Sequence, residues 1–261
     1  MDEKLEQLRQ WMKESSRIVF FGGAGVSTES GIPDFRSVDG LYNQKYQYPP
    51  ETIISHSFYV RNPEEFYRFY KDRMLFPDAK PNAAHLALAK LEAQGKLKAV
   101  ITQNIDGLHQ AAGSKEVLEL HGSVHRNYCT RCGKFYDLDY VIHSEGVPKC
   151  SCGGVIKPDV VLYEEGLDSD ILERSIRYIR TADMLIIGGT SLVEMCIRDS
   201  ARPVPSGTSP WRTSSYKDRP ACTGCHLRPG QRPGGHFRSR TRRCRAYKGR
   251  THPWWSGAGS P

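Results

Sequence analysis

No apolar run in this chain approaches the ~18 residues that a membrane-spanning helix needs. The opening stretch, MDEKLEQLRQWMKES, is charged and helix-periodic, and it lacks the apolar segment that an export signal carries. The expectation is a cytoplasmic protein with no membrane partner. In a reducing compartment, eight cysteines argue for metal ligation or chance rather than disulfides. There is no internal repeat, so repeat architectures drop out. The 261 residues carry a formal +8, which taken alone points to an acidic partner such as nucleic acid. The charge is unevenly placed, however. From Glu194 onward there are 12 Arg, 2 Lys and 3 acidic residues, net +11, whereas residues 1–193 hold 23 basic and 26 acidic side chains, net −3. The body of the chain is mildly acidic, and nucleic acid is not its expected partner. The basic terminal stretch is also short of branched aliphatics, with only Ile197, Val204 and Leu227. That is too little apolar area to offset chain entropy.

The length allows one large or two ordinary domains with a real core. Arg17-Ile18-Val19-Phe20-Phe21 reads as a buried parallel strand ending at Gly22, and the sequence GAGVSTESGIPDFRS, Gly23 to Ser37, follows it. A Gly-rich turn after such a strand leaves backbone N–H groups to face a phosphate, and bare glycines let it approach. The dinucleotide fingerprint is incomplete, because Thr28 stands at its third glycine position. Gly31-Ile32-Pro33-Asp34-Phe35-Arg36 is more specific, since it sets a carboxylate, an aromatic ring and a guanidinium on a proline-stiffened chain. The plain alternative is a turn with a cap.

Farther on, Leu5, Leu8, Trp11 and Met12 mark a first amphipathic helix, and residues 39–80 change to Tyr, Phe and charge, with Pro63 at a helix start. This stretch reads as a helical insert. A helix spans Ala83 to Ala93, and Lys98 to Thr102 is a second buried strand running into Gln103-Asn104-Ile105-Asp106-Gly107-Leu108-His109. Val117 to Leu120 is a third strand, ending at His121-Gly122, and Asp183 to Ile187 is a further one before Gly188-Gly189-Thr190-Ser191. Strand, polar residues at its carboxyl end, then helix, repeated, is the α/β doubly wound pattern, with ligands at those carboxyl ends.

Cys129 and Cys132 are separated from Cys150 and Cys152 by residues 133–149, and each pair adjoins a glycine, Gly133 or Gly153. That arrangement suits a tetrahedral Zn2+ ribbon. Four thiolates leave no position for water, so the zinc is expected to be structural and a zinc-hydrolase mechanism is disfavoured.

Taken in order, GAGVSTESGIPDFRS, TQNIDGLH, ELHG, the cysteine pairs, IKPDVVLYEE and IIGGTSLV resemble the sirtuin family over about residues 5–193. The resemblance implies a Rossmann-like parallel-sheet domain (1–38, 81–121 and 155–193) and a smaller domain made of the helical insert (39–80) and the zinc ribbon (122–154). It also implies removal of acyl groups from lysine with NAD consumed as co-substrate, so acetylated-lysine proteins or peptides are the implied partners. Gly23, Ala24, Gly25 and Ser27 would hold the NAD phosphates with Thr28 close by, and Asp34, Phe35 and Arg36 would line the nicotinamide and ribose side. Gln103 and Asn104 would hold the ribose, and Ile105 with Asp106 would grip the nicotinamide amide. His121 would be the general base, with Asn104 and Asp106 in the catalytic set. Gly188, Thr190 and Ser191 would contact the adenosine half, and Val161, Leu162, Tyr163 and Val193 the substrate peptide as an added strand. Family members that prefer succinyl or malonyl groups carry Tyr-x-x-Arg in the insert. Here Tyr70 stands in place of that arginine, so an apolar acyl pocket with acetyl first is expected, with Arg68 or Arg73 as the side chains able to reach it. The plain readings are helix capping for Asn104 and Asp106, a surface ion pair for Arg36, and caps or packed polar groups for His109 and His125.

The resemblance stops after Ser191-Leu192-Val193, where the family continues with a helix and another strand. Residues 194–261 read instead as a basic, low-order tail, as expected from a slipped reading frame near Glu194, and the last strands of the sheet are expected to be missing. Translating the encoding DNA in the other two frames tests this, and the idea fails if neither yields an alternating strand and an amphipathic helix. Within the tail, Cys222-Thr-Gly-Cys225-His226 has the form of a haem attachment motif, and His236 to Arg250 is rich in arginine. Both fit an out-of-frame translation better than a site. Two alternatives stand beside the deacetylase: mono-ADP-ribosyl transfer or another deacylation on the same scaffold, and a zinc-ribbon module that binds nucleic acid through the tail.

Overall fold

The structure is a computed structural model, and it describes residues 3–35, 40 and 46–192. Arg36, Val193 and the whole 194–261 tail, with its frame-slip, haem-motif and arginine-run readings, lie outside the described residues. Helix α1 (Glu3–Glu14) leads to strand β1 (Ile18–Gly22), all five residues of which are buried. The insert supplies α2 (Pro50–Ile53), α3 (His56–Arg61) and α4 (Pro63–Arg73). Their starts follow ordinary capping chemistry. The Ser55 hydroxyl accepts from the Phe58 amide, the Asn62 side chain accepts from the Glu65 amide, and Pro63 takes the first helical position. The chain then runs α5 (Ala83–Ala93), β2 (Leu97–Thr102), α6 (Leu108–Ala111), β3 (Val117–Glu119) and β4 (Gly122–Cys129). It continues through β5 (Phe135–Tyr136), α7 (Leu138–His143), β6 (Ile156–Val160), α8 (Ser169–Thr181) and β7 (Met184–Gly188).

Four of these strands form a parallel sheet in the order β3-β2-β1-β7. β1 therefore sits between strands reached by crossovers in opposite directions, and the crevice at its carboxyl end is the topological switch point. The register brings three loop starts side by side there, with Gly22 opposite both Thr102 and Gly188. One face of the sheet packs Val19, Phe21, Ile101 and Leu185 against Ile179 of α8. The other packs Ile18, Phe20, Val100 and Met184 against Leu88 of α5, with Trp11 and Met12 of α1 alongside. Strands buried on both faces explain why their sequences are unbroken apolar runs.

The second sheet is antiparallel, in the order β5-β4-β6. Its core is shared with the insert, because Phe66, Tyr67, Phe69 and Tyr70 of α4 pack in one cluster with Cys129, Tyr136, Val141, Cys150 and Ile156. The Tyr67 hydroxyl donates to the Ile156 carbonyl. β6 departs from the sequence-based boundary at residue 155. It pairs with β4 in this second sheet rather than joining the parallel one. The run IKPDV alternates buried Ile156, Pro158 and Val160 with the outward Lys157 and Asp159, the pattern of a half-buried antiparallel strand rather than of the parallel strands buried on both faces.

The first residue of β4 is constrained tightly. Gly122 has φ +75°, and a Cβ there would lie 1.9 Å from the Asp159 carbonyl oxygen of β6. Gly122→Ala combines a left-handed backbone with a clash against backbone that cannot rotate away, so the expected loss is about 3 kcal/mol or more. Denaturant unfolding of the variant beside the wild-type chain checks this, and a loss under about 1 kcal/mol would contradict the geometry.

Candidate functional site

The four cysteines converge as their spacing predicts. Cys129 ends β4, and Cys132, Cys150 and Cys152 bring their sulfurs to it so that all four lie within 4.8 Å of one another. Individual Sγ···Sγ distances are 3.4 Å (Cys129–Cys152), 3.5 Å (Cys132–Cys152) and 3.6 Å (Cys132–Cys150). These are far beyond a disulfide bond of ~2.05 Å. They approach the ~3.8 Å edge of a tetrahedron with Zn–S bonds of ~2.3 Å. Each knuckle turns through a left-handed glycine, Gly133 at φ +70° and Gly153 at φ +82°. Backbone amides of the knuckles, Cys132's for Cys129 and Cys152's for Cys150, hold those two thiols below the usual range, Cys150 down to about 5. Against the lowering pull of the Gly154 amide, the neighbouring sulfurs of Cys129 and Cys150 push Cys152 the other way, up to about 12. The sulfurs thus crowd one another as a set that a cation would relieve, and a closed set of four thiols fits one structural zinc.

At the switch point lies a cavity of about 670 Å³, walled by the loops that follow β1, β2 and β7 and by residues of the second sheet and the insert. It brings together most of the sequence-predicted residues. Ala24, Gly25, Ser27, Asp34 and Phe35 line it from the first loop, Gln103, Asn104, Ile105 and Asp106 from the second, and Thr190 and Ser191 from the last. His121 joins from the start of the second sheet, and Val161, Leu162 and Tyr163 from the segment after β6. Gly23, Thr28 and Gly188 are not among the lining residues. The Thr28 hydroxyl instead donates to the Gly25 carbonyl at 3.1 Å.

The glycines do a different job from the one their motif suggests. A Cβ on Gly23 would meet the Gln103 side chain, Gly189 O and Thr190 at 2.9 Å, and one on Gly25 would meet Gly189 Cα at 2.9 Å. Their missing side chains make room for the neighbouring loop. The amides follow suit: Gly23 N–H donates to Gly188 O (3.2 Å), Gly25 to Gly189 O (2.9 Å), Val26 to Gly23 O (2.9 Å) and Ser27 to Ala24 O (3.0 Å). Among the described residues, Ala24 is the amide of this turn with no backbone partner.

Behind the wall runs a connected polar network. Ser27 Oγ donates to Asp106 Oδ2 at 2.7 Å and accepts from Asn104 Nδ2 at 3.0 Å. Asp106 Oδ1 accepts from the Leu108 amide at 2.9 Å, so the plain capping reading of Asp106 is also true. Thr190 Oγ1 donates to Gln103 Oε1 at 2.9 Å, tying the second and last loops. His121 Nδ1 lies 3.0 Å from the Gln103 carbonyl oxygen. A carbonyl only accepts, so the neutral ring carries its proton on Nδ1 and its lone pair on Nε2.

The lip after β6 is more committed than an open strand edge. Val161 N–H donates to His121 O, Tyr163 N–H to Ile54 O, and the His56 amide to Tyr163 O, at 3.0 Å, 3.1 Å and 3.0 Å. Leu162 N–H donates to Glu165 Oε2 at 2.8 Å, and the same carboxylate meets His56 Nδ1 at 2.8 Å and Lys157 Nζ at 3.2 Å. Glu164 sits at φ +76° with its carboxylate on Ser57 N at 2.9 Å. Sequence reading missed both glutamates as parts of the wall. A non-glycine residue in a left-handed conformation is visible only in the backbone. Of the two arginines expected to reach the acyl pocket, Arg73 lines the cavity, while Arg68 is turned outward and paired with Glu65. Tyr67 and Tyr70 are buried in the insert core.

His109 is the packed polar group its plain reading proposed. It is 1% exposed, its ring centroid lies 4.7 Å from that of His85, and neither ring nitrogen has a partner among the described residues. Burial, with the His85 charge as a second cause, pushes it down to about 4. An unfolded histidine near 6.5 binds its proton more tightly than this folded one, so stability is complete above about pH 6.5 and is lost as pH falls toward 4. The expected loss is about 3 kcal/mol across that window. Denaturant midpoints at pH 5 and pH 7 read about 2 kcal/mol of it, and His109→Phe should flatten the difference. An unchanged pH slope in the variant would assign it elsewhere.

The fold and site together define an α/β protein with a dinucleotide-type crevice at its switch point and an appended four-thiolate ribbon. The sequence model of the Sir2 family matches residues 23–195, and the chain belongs to that family. It is similar to an NAD-dependent protein deacetylase of Clostridium acetobutylicum, 64% identical over 195 residues that cover 73% of this chain and 80% of the relative. The corresponding protein of Clostridium perfringens is 62% identical over 196 residues, covering 74% and 80%. A solved complex of Sir2 with a p53 peptide and NAD+ superposes with a TM-score of 0.66 at 43% identity, covering 76% of this chain and 80% of that one.

Proposed function

We propose that this chain is an NAD-dependent protein-lysine deacetylase, yielding free lysine, nicotinamide and 2′-O-acetyl-ADP-ribose. The observation that carries the reading is the single cavity in which the loops after β1, β2 and β7 meet His121 and the 161–163 lip. Related proteins at 64% and 62% identity bear that activity in their names. NAD lies across the switch point, with Ala24, Gly25 and Ser27 at its phosphates and Thr190 and Ser191 toward the adenosine half. Asp34, Phe35 and Arg36 flank the nicotinamide and ribose. Gln103 and Asn104 hold the ribose, and Ile105 with Asp106 grips the nicotinamide amide. A water-poor wall with an aromatic face and carboxamides favours breaking the nicotinamide–ribose bond, because positive charge develops on the sugar. The acyl oxygen attacks the anomeric carbon, and His121 Nε2 takes the proton of a ribose hydroxyl, which then attacks the acyl-derived carbon.

The NAD-binding domain takes 1–38, 81–121 and the chain from the end of β6 to 193. The small domain takes the insert, 39–80, and the ribbon, 122–154, extended by β6. The substrate peptide runs along Val161, Leu162, Tyr163 and Val193. Acetyl is the preferred group, since Tyr70 is buried and supplies no cation, and Arg73, which lines the cavity, is engaged by the Asp72 carboxylate at 2.6 Å and by the Tyr46 ring. The family match ends at residue 195, beside the composition change at Glu194, which supports a tail outside the enzyme's plan.

The test is nicotinamide release from labelled NAD, dependent on an acetyl-lysine peptide, by the intact chain and by a frame-restored one, with products read by mass spectrometry. ADP-ribose appearing on protein while the acetyl group stays in place would defeat the deacetylase reading.

A further inference from the structure

The loop from Gln103 to Asp106 carries the side chains that the proposed function sets on ribose and nicotinamide, and its backbone is held from one side by the start of β4. Gln103 O lies 3.0 Å from His121 Nδ1, Ile105 O accepts from the Val124 amide at 3.0 Å, and Asp106 O lies 3.1 Å from His125 Nε2. Two of these three holds are imidazoles, and only one of them, His121, has a role in the chemistry above. The carbonyl that His125 holds belongs to the Asp106–Gly107 peptide. Gly107 sits at φ +72°, and glycine occupies both signs of φ at little cost, so this peptide plane is the one in the loop most free to turn over. A turn there would move Asp106, whose carboxylate is otherwise aimed by Ser27 Oγ and the Leu108 amide.

We infer that His125 is a positioning residue that locks the Asp106–Gly107 peptide plane and so fixes Asp106 toward the nicotinamide end of the cavity. The fit is mutual. A Cβ on Gly107 would lie 2.7 Å from His125 Cδ2 and Nε2, so the ring lies directly across the bare glycine. His125 also lines the cavity, although it is an exposed residue. Because a carbonyl accepts only, Nε2 carries the proton in the neutral ring, and it still does in the imidazolium. The hold therefore persists in both protonation states, unlike a role as base.

The inference rests on the proposed placement of nicotinamide at Asp106. It is tested by binding rather than turnover. The full chain, His125→Ala and His125→Gln are compared by equilibrium dialysis for NAD, nicotinamide and an acetyl-lysine peptide. His125→Ala should raise the Kd for NAD and for nicotinamide about tenfold, as expected for a lost donor that leaves its acceptor unmatched. The peptide Kd should move less than twofold. His125→Gln, which can present an amide donor to the same carbonyl, should recover most of the loss. Equal weakening of all three ligands together with a lowered Tm, or no rescue by glutamine, would make His125 merely structural and overturn the inference. NAD and nicotinamide constants within twofold of wild type in His125→Ala would do so as well. A wild-type chain that binds NAD but leaves acetyl-lysine intact defeats the deacetylase reading while the three-way binding comparison still decides this one. A wild-type chain that does not bind NAD overturns both.

Discussion

Replacing His121 by alanine should lower deacetylation by a factor of about 10²–10⁴, the usual worth of a positioned general base, while NAD and peptide binding stay within a few-fold of wild type. The geometry allows a sharper version. His121 has two separable jobs: Nδ1 donates to the Gln103 carbonyl at 3.0 Å, and the lone pair that results on Nε2 takes the proton. His121→Asn keeps a side-chain amide where Nδ1 stood and has no base. If the base is what matters, the asparagine variant should be as slow as the alanine variant, although it holds the loop. If the loop contact matters, asparagine should recover activity. The pH profile separates them further, because an imidazole base is idle once protonated, so wild-type turnover should fall on the acid side and the residual rate of the variants should not follow that limb. Peptide-dependent nicotinamide release and acetyl transfer are to be followed separately, since the base is needed after the nicotinamide bond has broken. His121→Ala that retained more than a tenth of wild-type deacetylation would remove His121 from the role.

Much of this site can be read from the chain, and what can be read is local. The strand Ile18–Gly22 with its glycine turn, the polar run after Thr102 and the small residues after Ile187 announce three carboxyl ends, and the parallel sheet brings them together. The cysteine pairs are legible because metal spacing is a short-range constraint. What escaped the sequence depends on contacts between segments. The GxG motif looks like a phosphate cradle, yet Gly23 and Gly25 give up their side chains to Gly189 and Thr190, 160 or more residues away. β6 sets Lys157 and Asp159 between its buried positions, an alternation that favours a half-buried strand, and it pairs antiparallel with β4. His125 resembles any surface histidine until Gly107 and the Asp106 carbonyl are found beneath its ring. Glu164 betrays nothing in the sequence of its left-handed backbone.

Removing the zinc should be the most damaging change of all, and its damage should reach the cavity without touching an NAD-binding side chain. Free energies of structural zinc binding of about 10–16 kcal/mol are also folding free energies where no site exists in the unfolded chain. Here Cys129 and Cys150 are themselves members of the buried cluster that holds Phe66, Tyr67 and Tyr70 of the insert. Losing the metal loosens that shared core, and with it the ribbon side of the pocket, where Val124, Leu138 and Leu162 form part of the wall. The chain should carry one zinc, and treatment with a strong chelator, or Cys150→Ala, should lower Tm by roughly 20 °C or more, at about 2–4 °C per kcal/mol. Zinc should also leave as pH falls, because protons compete for the four thiolates. Activity should disappear in parallel and return on adding zinc to the chelated wild-type chain, but not to the variant. Since four thiolates leave no open position, cobalt substitution should give a tetrahedral four-sulfur spectrum that does not respond to acetyl-lysine peptide or nicotinamide. A metal spectrum that shifts with either ligand would place the ion in the chemistry and contradict a purely structural site. A chain that keeps its full Tm with no zinc bound would mean that the aromatic core of the insert holds the small domain by itself.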